Sequence, residues 1–508
     1  MKHRPLPLLL LLIALCLPGS FANQLPTLGD GAELGSNAER RIGDRIAASI
    51  YKDPAYINDP LLQDYVQSIW QPLLAAARAR GEINLELQER FAWEPMLVRD
   101  RTVNAFALPG GYMGIHLGLI SVVSTPAEFA SVLAHELSHI TQRHISRLIS
   151  KQGQQTPWMM AAMVLGALAM SHSPDAGNAL MVGGQAAAAQ TQLNFSRDME
   201  READRVGFGV MLDAGFDGHG FAAMFDKLQQ ASRLNDSGNF PYLRSHPLTT
   251  ERIANVQARL QLAPPAKVDD ASLRLLHALM AARAKVLVDP GVDALRELVV
   301  EANRVIKIVA KSISPRDAGA LYGGALAALK LRNPGQAKSL LAHLSAALQF
   351  DAHALHVAQL LALELDVASN SVNPGTSLAH FQAASERADL LLYAQALLSG
   401  NHAAPAVADR LQTWVSDHPR DTSAWELLAQ AYGQQGQSLR AIRADAEGHA
   451  AQFDYTGALN RLKAAQDLIR ASKAAGGNNY IDGSIIDTRA REFDKLAKEQ
   501  TLQDKQMP

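Results

Sequence analysis

Residues 125–150 read TPAEFASVLAHELSHITQRHISRLIS and carry the local signals of a helix. Thr125 is a suitable N-cap, Pro126 is favoured at the first helical position, and Glu128 completes a capping box. Behind them the apolar side chains recur three and four residues apart. The stretch therefore predicts an amphipathic helix.

The HELSH segment of this helix places two histidines one turn apart. His135 and His139 are four positions apart, roughly 40° around a helix axis, so both imidazoles can reach one ion. In a zinc hydrolase such a pair holds the metal, and the neighbouring carboxylate, here Glu136, accepts a proton from the attacking water. The alternative is two solvent-facing histidines on an ordinary helix.

A catalytic zinc site needs a third protein ligand. Residues 196–216, SRDMEREADRVGFGVMLDAGF, place Glu200 and Asp204 on one face of a second helix, and Gly207 allows close packing. Glu200 is the candidate third ligand, and Asp204 is placed to accept the outer N–H of a ligating histidine. The alternative is a solvated acidic face that pairs with neighbouring arginines.

Four blocks of the sequence resemble the M48 zinc metallopeptidases, in the form that carries tetratricopeptide repeats behind the protease. In chain order they are NAFALPGGYMGIHLGLI (104–120), EFASVLAHELSHITQRH (128–144), FSRDMEREADRVG (195–207) and SHPLTTERI (245–253). The resemblance implies a gluzincin-type α+β protease domain that is mostly helical with a small β-sheet. It also implies one zinc ion per chain, held by His135, His139 and Glu200, with Glu136 as the general base.

The first block also predicts a β-hairpin. A β-prone run, a Pro-Gly-Gly turn and a second strand that extends to Ile120 make up the pattern. An edge strand beside a zinc helix can bind an extended peptide through main-chain hydrogen bonds, so Asn104, Ala105 and Phe106 are candidate substrate-binding residues. The alternative is a plain hairpin that closes the sheet.

The fourth block supplies two further candidates, since the resemblance implies that this segment approaches the metal. His246 precedes a proline and so lies on extended backbone. It can stabilise the oxyanion, or it can fill the open zinc position and inhibit the resting enzyme. Arg252 is a second candidate for stabilising transition-state charge, with a salt bridge as the alternative. The other histidines of the matched blocks, His116 and His144, are interpreted as a structural residue and a surface residue.

The amino terminus predicts export. Lys2 and Arg4 precede an apolar run, and small residues at Ser20 and Ala22 suit signal peptidase, so we expect a signal peptide over residues 1–22, cleaved after Ala22. The single cysteine leaves with it, so the mature chain has no disulfides. With 46 basic against 50 acidic residues, the mature chain shows no sign of nucleic-acid binding. The resemblance places it in the periplasm.

A second apolar stretch, residues 158–170, falls short of the roughly 20 residues of a transmembrane helix. We interpret residues 158–190 as a hydrophobic hairpin or helical flap between the two zinc-ligand helices. It can contact a membrane surface peripherally, contact a substrate, or pack on the protease core. Packing on the core is the favoured interpretation, because exposure of so apolar a segment is costly.

Beyond Pro264-Pro265 the sequence predicts an all-α repeat domain. Ala- and Leu-rich helical segments alternate with Gly, Pro and Asn, and self-similarity recurs at about 34 residues. The clearest unit starts at Thr422, and a helix over residues 487–499 closes the array. The predicted organisation is a signal peptide (1–22), a metalloprotease domain (23–265) and a tetratricopeptide-like solenoid (266–508).

The expected function is that of a periplasmic zinc endopeptidase with chaperone-like client handling. The resemblance implies that its clients are unfolded or misassembled outer-membrane proteins, and that the repeats contact the outer-membrane assembly machinery. One rival is a non-catalytic repeat scaffold or holdase on an inactive protease fold, against which the retained zinc-chemistry residues argue. Another is a zinc hydrolase of a non-peptide substrate, which an edge strand beside the metal disfavours.

Overall fold

The computed structural model describes residues 34–151, 196–233, 239–264, 270–288, 290–308, 313–402, 404–474 and 480–505. The predicted signal peptide and the apolar segment 158–190 lie outside the described residues, so both stay predictions. Within the described ranges, no helix combines the length and the apolar character needed to cross a bilayer.

Three helices precede the sheet: α1 (Ser36–Lys52), α2 (Pro60–Ala79) and α3 (Leu85–Arg90). The carboxylate of Asp59 caps α2 by accepting the N–H of Leu62 at 2.9 Å, and Pro60 occupies the first helical position. The indole N–H of Trp70, a fully buried residue of α2, donates to the carbonyl of Trp93 at 3.0 Å. This bond ties α2 to the start of the sheet.

The sheet has three strands in the order β1-β3-β2, namely β1 (Glu94–Val98), β3 (Tyr112–His116) and β2 (Ala105–Leu108). β1 is parallel to β3, with Glu94 opposite Tyr112, and β2 is antiparallel to β3, with Leu108 opposite Tyr112. A 3₁₀ turn at Pro109–Gly111 joins β2 to β3, and its Gly110 has φ 73°, a conformation that favours glycine. β2 is therefore an edge strand, as the predicted hairpin requires.

The second strand of the hairpin is shorter than predicted. The prediction extends it to Ile120, but β3 ends at His116 and a short helix, α4 (Leu117–Val122), follows. Gly118 allows this turn, because a Cβ there would lie 2.2 Å from the carbonyl oxygen of Arg101. Periodicity alone cannot separate a strand from a buried helix in so short an apolar run.

The single helix predicted over residues 125–150 is divided in the structure into α5 (Pro126–Thr141) and a second helix that begins at His144, while its predicted start is confirmed. The hydroxyl of Thr125 accepts the N–H of Glu128 at 3.1 Å. The Glu128 carboxylate accepts the N–H of Ser124, the residue before the cap, at 2.8 Å, so the predicted capping box is present in a shifted form. Nearly all of its side chains are buried, so α5 runs through the core. The next described helices are α6 (His144–Lys151), α7 (Arg197–Asp213), α8 (His219–Arg233), α9 (Tyr242–Ser245) and α10 (Thr250–Leu262).

The rest of the described chain is helical and forms stacked helix pairs. The Thr422 unit is one such pair, in which a Cβ on Gly448 of the second helix would lie 3.4 Å from the Cβ of Trp425. The closing helix is longer than predicted. The helices are α11 (Ala271–Leu287), α12 (Val292–Ile308), α13 (Pro315–Lys330), α14 (Pro334–Ala347), α15 (Ala352–Ala368), α16 (Pro374–Ala383), α17 (Arg387–Ser399), α18 (Ala404–Asp417), α19 (Thr422–Gln434), α20 (Ser438–Ala451), α21 (Tyr455–Ala474) and α22 (Tyr480–Lys505). The predicted fold class, a mostly helical protease with a small sheet followed by stacked helix pairs, is confirmed.

The hydrophobic core is continuous across the predicted boundary between protease and repeats. α11 packs against α2 and α4, and one cluster of buried side chains extends from Ile57 to Ala451. Residues 265–269 lie outside the described ranges, so the boundary itself stays a prediction.

A largely buried ion cluster also joins the two parts. Arg283 of α11 donates to Asp59, ahead of α2, at 2.8 and 2.6 Å, and to Glu364 of α15 at 2.7 and 2.9 Å. Because a buried charge that loses its partner is costly, these three side chains fix how α2 lies against the repeat helices.

Candidate metal centre

Four buried side chains meet in the core and offer one metal-ligating atom each. The atoms of His135, His139, Glu200 and His246 all lie within 4.8 Å of one another. His135 Nε2 lies 3.0 Å from His139 Nε2 and 3.3 Å from His246 Nδ1. Glu200 Oε1 lies 3.0 Å from His246 Nδ1. The structure thus brings the three predicted ligands together and adds His246 as a fourth donor.

Close helix packing brings Glu200 to the two histidines of α5. α7 lies against α5 at Gly207, where a Cβ would be 2.9 Å from the carbonyl oxygen of Ala134. Because that neighbour is backbone, a larger residue would push the helices apart. Glu200 lies two turns before Gly207 and is thereby held opposite His135 and His139.

His246 follows directly after α9. Its N–H donates to the carbonyl of Tyr242 at 2.9 Å, and its ring stacks on the Tyr242 ring with centroids 4.5 Å apart. Its Nδ1 faces the other donors, while its Nε2 lies 3.4 Å from Glu136 Oε1. His246 therefore lies between the metal cluster and the predicted base, close enough for either of its predicted roles.

Asp204 and Arg252 lie behind the ligands. Asp204 Oδ1 is 2.9 Å from His135 Nδ1, where it can accept the ring N–H of a histidine that ligates through Nε2. Arg252 donates to both oxygens of Asp204, at 2.7 and 2.8 Å, and its Nη1 lies 2.8 Å from Glu200 Oε2. Since the guanidinium is engaged with carboxylates of the site, the geometry favours the ion-pair role of Arg252 over its predicted oxyanion role.

The interpretation of His144 as a surface residue is wrong. Its side chain is fully buried, with Nδ1 2.9 Å from His139 Nδ1 and Nε2 3.1 Å from Glu202 Oε2. α5 ends at Thr141, and Arg143 takes a left-handed conformation with φ 52°, so the chain turns and His144 faces His139. In a helix that continued, five positions would have placed the two histidines on different faces. Arginine at a left-handed position is uncommon, so the sequence carries no signal of this turn.

Glu136 is oriented by the edge strand. Its Oε2 accepts the N–H of Ala107 at 2.9 Å, whereas its Oε1 is buried and has no hydrogen-bond partner among the described residues. Oε1 lies 3.4 Å from His246 Nε2, and the Tyr242 hydroxyl also interacts with the carboxylate. A carboxylate with one oxygen anchored by the backbone and the other directed at the cluster is suited to accept a proton there.

The outer edge of β2 faces this carboxylate. The carbonyl of Asn104 accepts the N–H of His116 at 3.1 Å, so Asn104 bonds to the β3 side. Bonded and open positions alternate in an antiparallel pair, so Phe106 also bonds to β3, while Ala105 and Ala107 present their main-chain groups outwards. Of the three predicted substrate-binding residues, Ala105 alone has its main chain on the edge that does not pair with β3, and it is fully buried there. Sequence reasoning missed Ala107, the second such residue.

The electrostatics of the cluster suit a cation. Burial raises the pKa of Glu200, but the surrounding histidines outweigh it and hold that pKa well below its usual value. Burial lowers the pKa of His139 well below its usual value, which favours the neutral form that binds metals. At His135 burial is overcome by Asp204 and Glu200, which raise its pKa to about 9. The site attracts positive charge, as a divalent metal ion would supply.

Comparison with known proteins identifies the family. The model of peptidase family M48 matches residues 60–260, a span that includes all four cluster residues. A relative from Vibrio cholerae, provisionally named a beta-barrel assembly-enhancing protease, is 30% identical over 475 residues, which covers 92% of this chain and 94% of the relative. The chain belongs to peptidase family M48.

The relatives of this M48 peptidase include bacterial and mitochondrial proteases. The beta-barrel assembly-enhancing protease of Escherichia coli is 28% identical over 454 residues, 88% of each chain. A mitochondrial metalloendopeptidase of Arabidopsis thaliana is 29% identical over 198 residues, 39% of this chain and 36% of the relative. The bacterial relatives thus resemble the M48 peptidase along nearly its whole length. Together with the intact buried cluster, the family confirms the predicted enzyme class, a metallopeptidase.

Proposed function

We propose that this M48 peptidase is a zinc-dependent endopeptidase of the periplasm that handles and degrades unfolded or misassembled outer-membrane proteins. The observation that carries the proposal is the buried cluster of His135, His139, Glu200 and His246 beside Oε1 of Glu136. The names of the bacterial relatives, which refer to β-barrel assembly, support the client class. The periplasmic location rests on the predicted signal peptide.

In the proposed mechanism His135, His139 and Glu200 hold the metal, a donor set that fits zinc. Zinc, when bound, supplies a Lewis acid that makes water nucleophilic at neutral pH. Glu136 accepts a proton from the attacking water through Oε1 and then returns it to the leaving amine. Because Ala107 anchors the other oxygen, the carboxylate keeps its direction during both transfers.

An extended client segment would lie along the outer edge of β2, where it would displace the groups that bury Ala105. The main-chain groups of Ala105 and the carbonyl of Ala107 can pair with it whatever its side chains are, while the N–H of Ala107 stays on Glu136. Such recognition suits unfolded β-barrel chains, which expose long stretches of extended backbone. The repeat helices would supply the surface for the outer-membrane assembly machinery. The predicted peripheral membrane contact through residues 158–190 concerns a segment outside the described residues.

Cleavage of an unfolded porin tests this function. The mature chain, residues 23–508, should cleave a porin diluted from urea but not the same porin folded in detergent, because the folded barrel offers no extended backbone. Dialysis against a chelator should abolish cleavage, and one equivalent of zinc should restore it. A zinc-loaded protein that binds the unfolded porin without cleaving it would overturn the proposal in favour of the holdase.

We expect His246→Ala to raise basal proteolysis. The Nδ1 of His246 lies 3.0 Å from Glu200 and 3.3 Å from His135, so we infer that it fills the fourth position around the metal at rest. Its removal opens that position to water. A rise of roughly tenfold or more would mean that at most about one resting site in ten is open. The measurement is the initial rate on one peptide substrate at equal zinc content.

The oxyanion role of His246 predicts the opposite result. Loss of an oxyanion donor lowers turnover by on the order of 10²-fold or more. Such a drop in His246→Ala, with zinc content unchanged, would refute self-inhibition. Ser245→Ala is a matched control, since this neighbour donates to the carbonyl of Tyr242 and does not face the cluster. Its rate should equal that of the wild type.

A further inference from the structure

His139 is linked through its outer nitrogen to a second histidine and a carboxylate. His139 Nδ1 lies 2.9 Å from His144 Nδ1, and His144 Nε2 lies 3.1 Å from Glu202 Oε2. Arg147 donates to the same oxygen of Glu202 at 2.8 Å. We call His144, Glu202 and Arg147 the outer relay of His139. Its members come from α6 and α7, so it also joins these two helices.

The proton positions in the outer relay follow from the geometry. His139 faces the cluster through Nε2, which lies 3.0 Å from His135 Nε2 and 3.4 Å from Glu200 Oε1. To ligate a metal, that nitrogen must present a lone pair, which leaves the ring proton on Nδ1. The proton is then donated to His144 Nδ1. His144 must carry its own proton on Nε2, from which it donates to Glu202.

We propose that His144 is a positioning residue for metal binding, which fixes the tautomer and ring orientation of His139 by accepting its Nδ1 proton. The inference rests on the proposed function, because it takes His139 as a metal ligand. The other ligating histidine of α5 has a direct carboxylate partner, since Asp204 Oδ1 lies 2.9 Å from His135 Nδ1. The two histidines are thus held by partners of different chemistry.

A neutral imidazole at His144 has an electrostatic advantage over a carboxylate at the same position. It accepts a hydrogen bond without adding a negative charge to a site that already contains Glu200, Asp204 and Glu136, all buried. The charge of the outer relay lies one residue further out, on Glu202, whose side chain is 31% exposed and paired with Arg147. Burial of like charges together is costly, so this arrangement orients His139 at lower electrostatic cost.

The rings of His144 and His139 pack edge to face with centroids 4.8 Å apart, so His144 could support His139 by packing alone. Two variants of His144 separate the positioning role from packing. His144→Leu fills similar space but offers no acceptor. His144→Asn can place its Oδ1 where Nδ1 stands and so keep the bond to His139. Competition with a chromophoric chelator should give a zinc dissociation constant about 10- to 100-fold higher than wild type for the leucine variant, as for other lost ligand partners. The asparagine variant should bind zinc nearly as tightly as wild type.

The unfolding temperature in excess chelator is the second readout, because it reports packing without metal. His277→Leu is the matched control: His277 is also buried, and its Nε2 lies 2.9 Å from the carbonyl oxygen of Val123, away from the cluster. It should lower stability and leave zinc affinity unchanged. If both His144 variants weaken zinc binding equally, or if neither does, the positioning role is refuted. Wild-type protein that binds no zinc would refute the proposed function itself, so the two failures are distinguishable.

Discussion

Glu136→Gln should reduce proteolysis by on the order of 10³-fold while the fold and the zinc content stay as in the wild type, because it removes a general base. The amide has the shape of the carboxylate, and its oxygen can still accept the N–H of Ala107 that anchors Oε2. What it lacks is the basic oxygen at the position of Oε1, which is buried beside His246. Initial rates on unfolded porin, with zinc content and unfolding temperature on the same samples, measure the effect.

Glu128→Gln is the matched control for this variant. Glu128 is a buried glutamate of the same helix, but its carboxylate caps the N-terminus of α5 and pairs with Lys227 at 2.8 Å, away from the cluster. The control should lose some stability and keep its turnover. Equal cleavage by Glu136→Gln and the wild type would remove the assigned base, whereas loss of zinc from Glu136→Gln would mean that Glu136 acts in binding rather than in proton transfer.

The ligand helix could be predicted because local rules decide it. The cap of Thr125 and Glu128 and the spacing of His135 and His139 depend on residues within one helix. The stacked helix pairs were equally accessible, because each repeat carries its own pattern of small and large residues. Prediction of Glu200 as a ligand required information beyond a single helix, because its position depends on where α7 packs against α5. Gly207 was the only local sign of that contact.

The residues that sequence reasoning missed are those placed by backbone geometry between elements. His144 reaches His139 because Arg143 turns the chain at φ 52°, which no residue type announces. Ala107 contacts Glu136 because the pairing register of β2 directs its N–H away from β3. A register shift of one residue would have directed the N–H of Phe106 there instead. For Arg252 the sequence left an oxyanion role and a salt bridge open, and the position of Asp204 against the guanidinium favours the salt bridge. Such contacts follow from the tertiary arrangement, so spacing along the chain cannot show them.

Glu200→Ala should weaken zinc binding by on the order of 100-fold or more, since loss of a mere partner of a ligand already costs 10- to 100-fold. The carboxylate is the only negatively charged ligand in the cluster and lies 3.4 Å from His139 Nε2. Zinc stoichiometry after dialysis against a mild chelator, and the dissociation constant by competition, measure the loss. Asp198→Ala, on the same turn of α7 but exposed and paired with Arg201, is the control and should bind zinc as the wild type does. Unchanged zinc binding in Glu200→Ala would place the third ligand elsewhere.

The double variant Glu200→Ala/His246→Ala then tests how many donors reach the metal. Without Glu200, the histidines His135, His139 and His246 still leave three nitrogens within the cluster, the number of protein ligands that a catalytic zinc site needs. If His246 contacts the metal, it partly replaces Glu200, so the double variant should bind zinc far more weakly than Glu200→Ala alone. If His246 acts only on the oxyanion, its removal should add nothing to the loss of affinity. Zinc affinity therefore separates the two roles of His246 without reference to turnover, and it does so even in a protein that has lost all proteolysis.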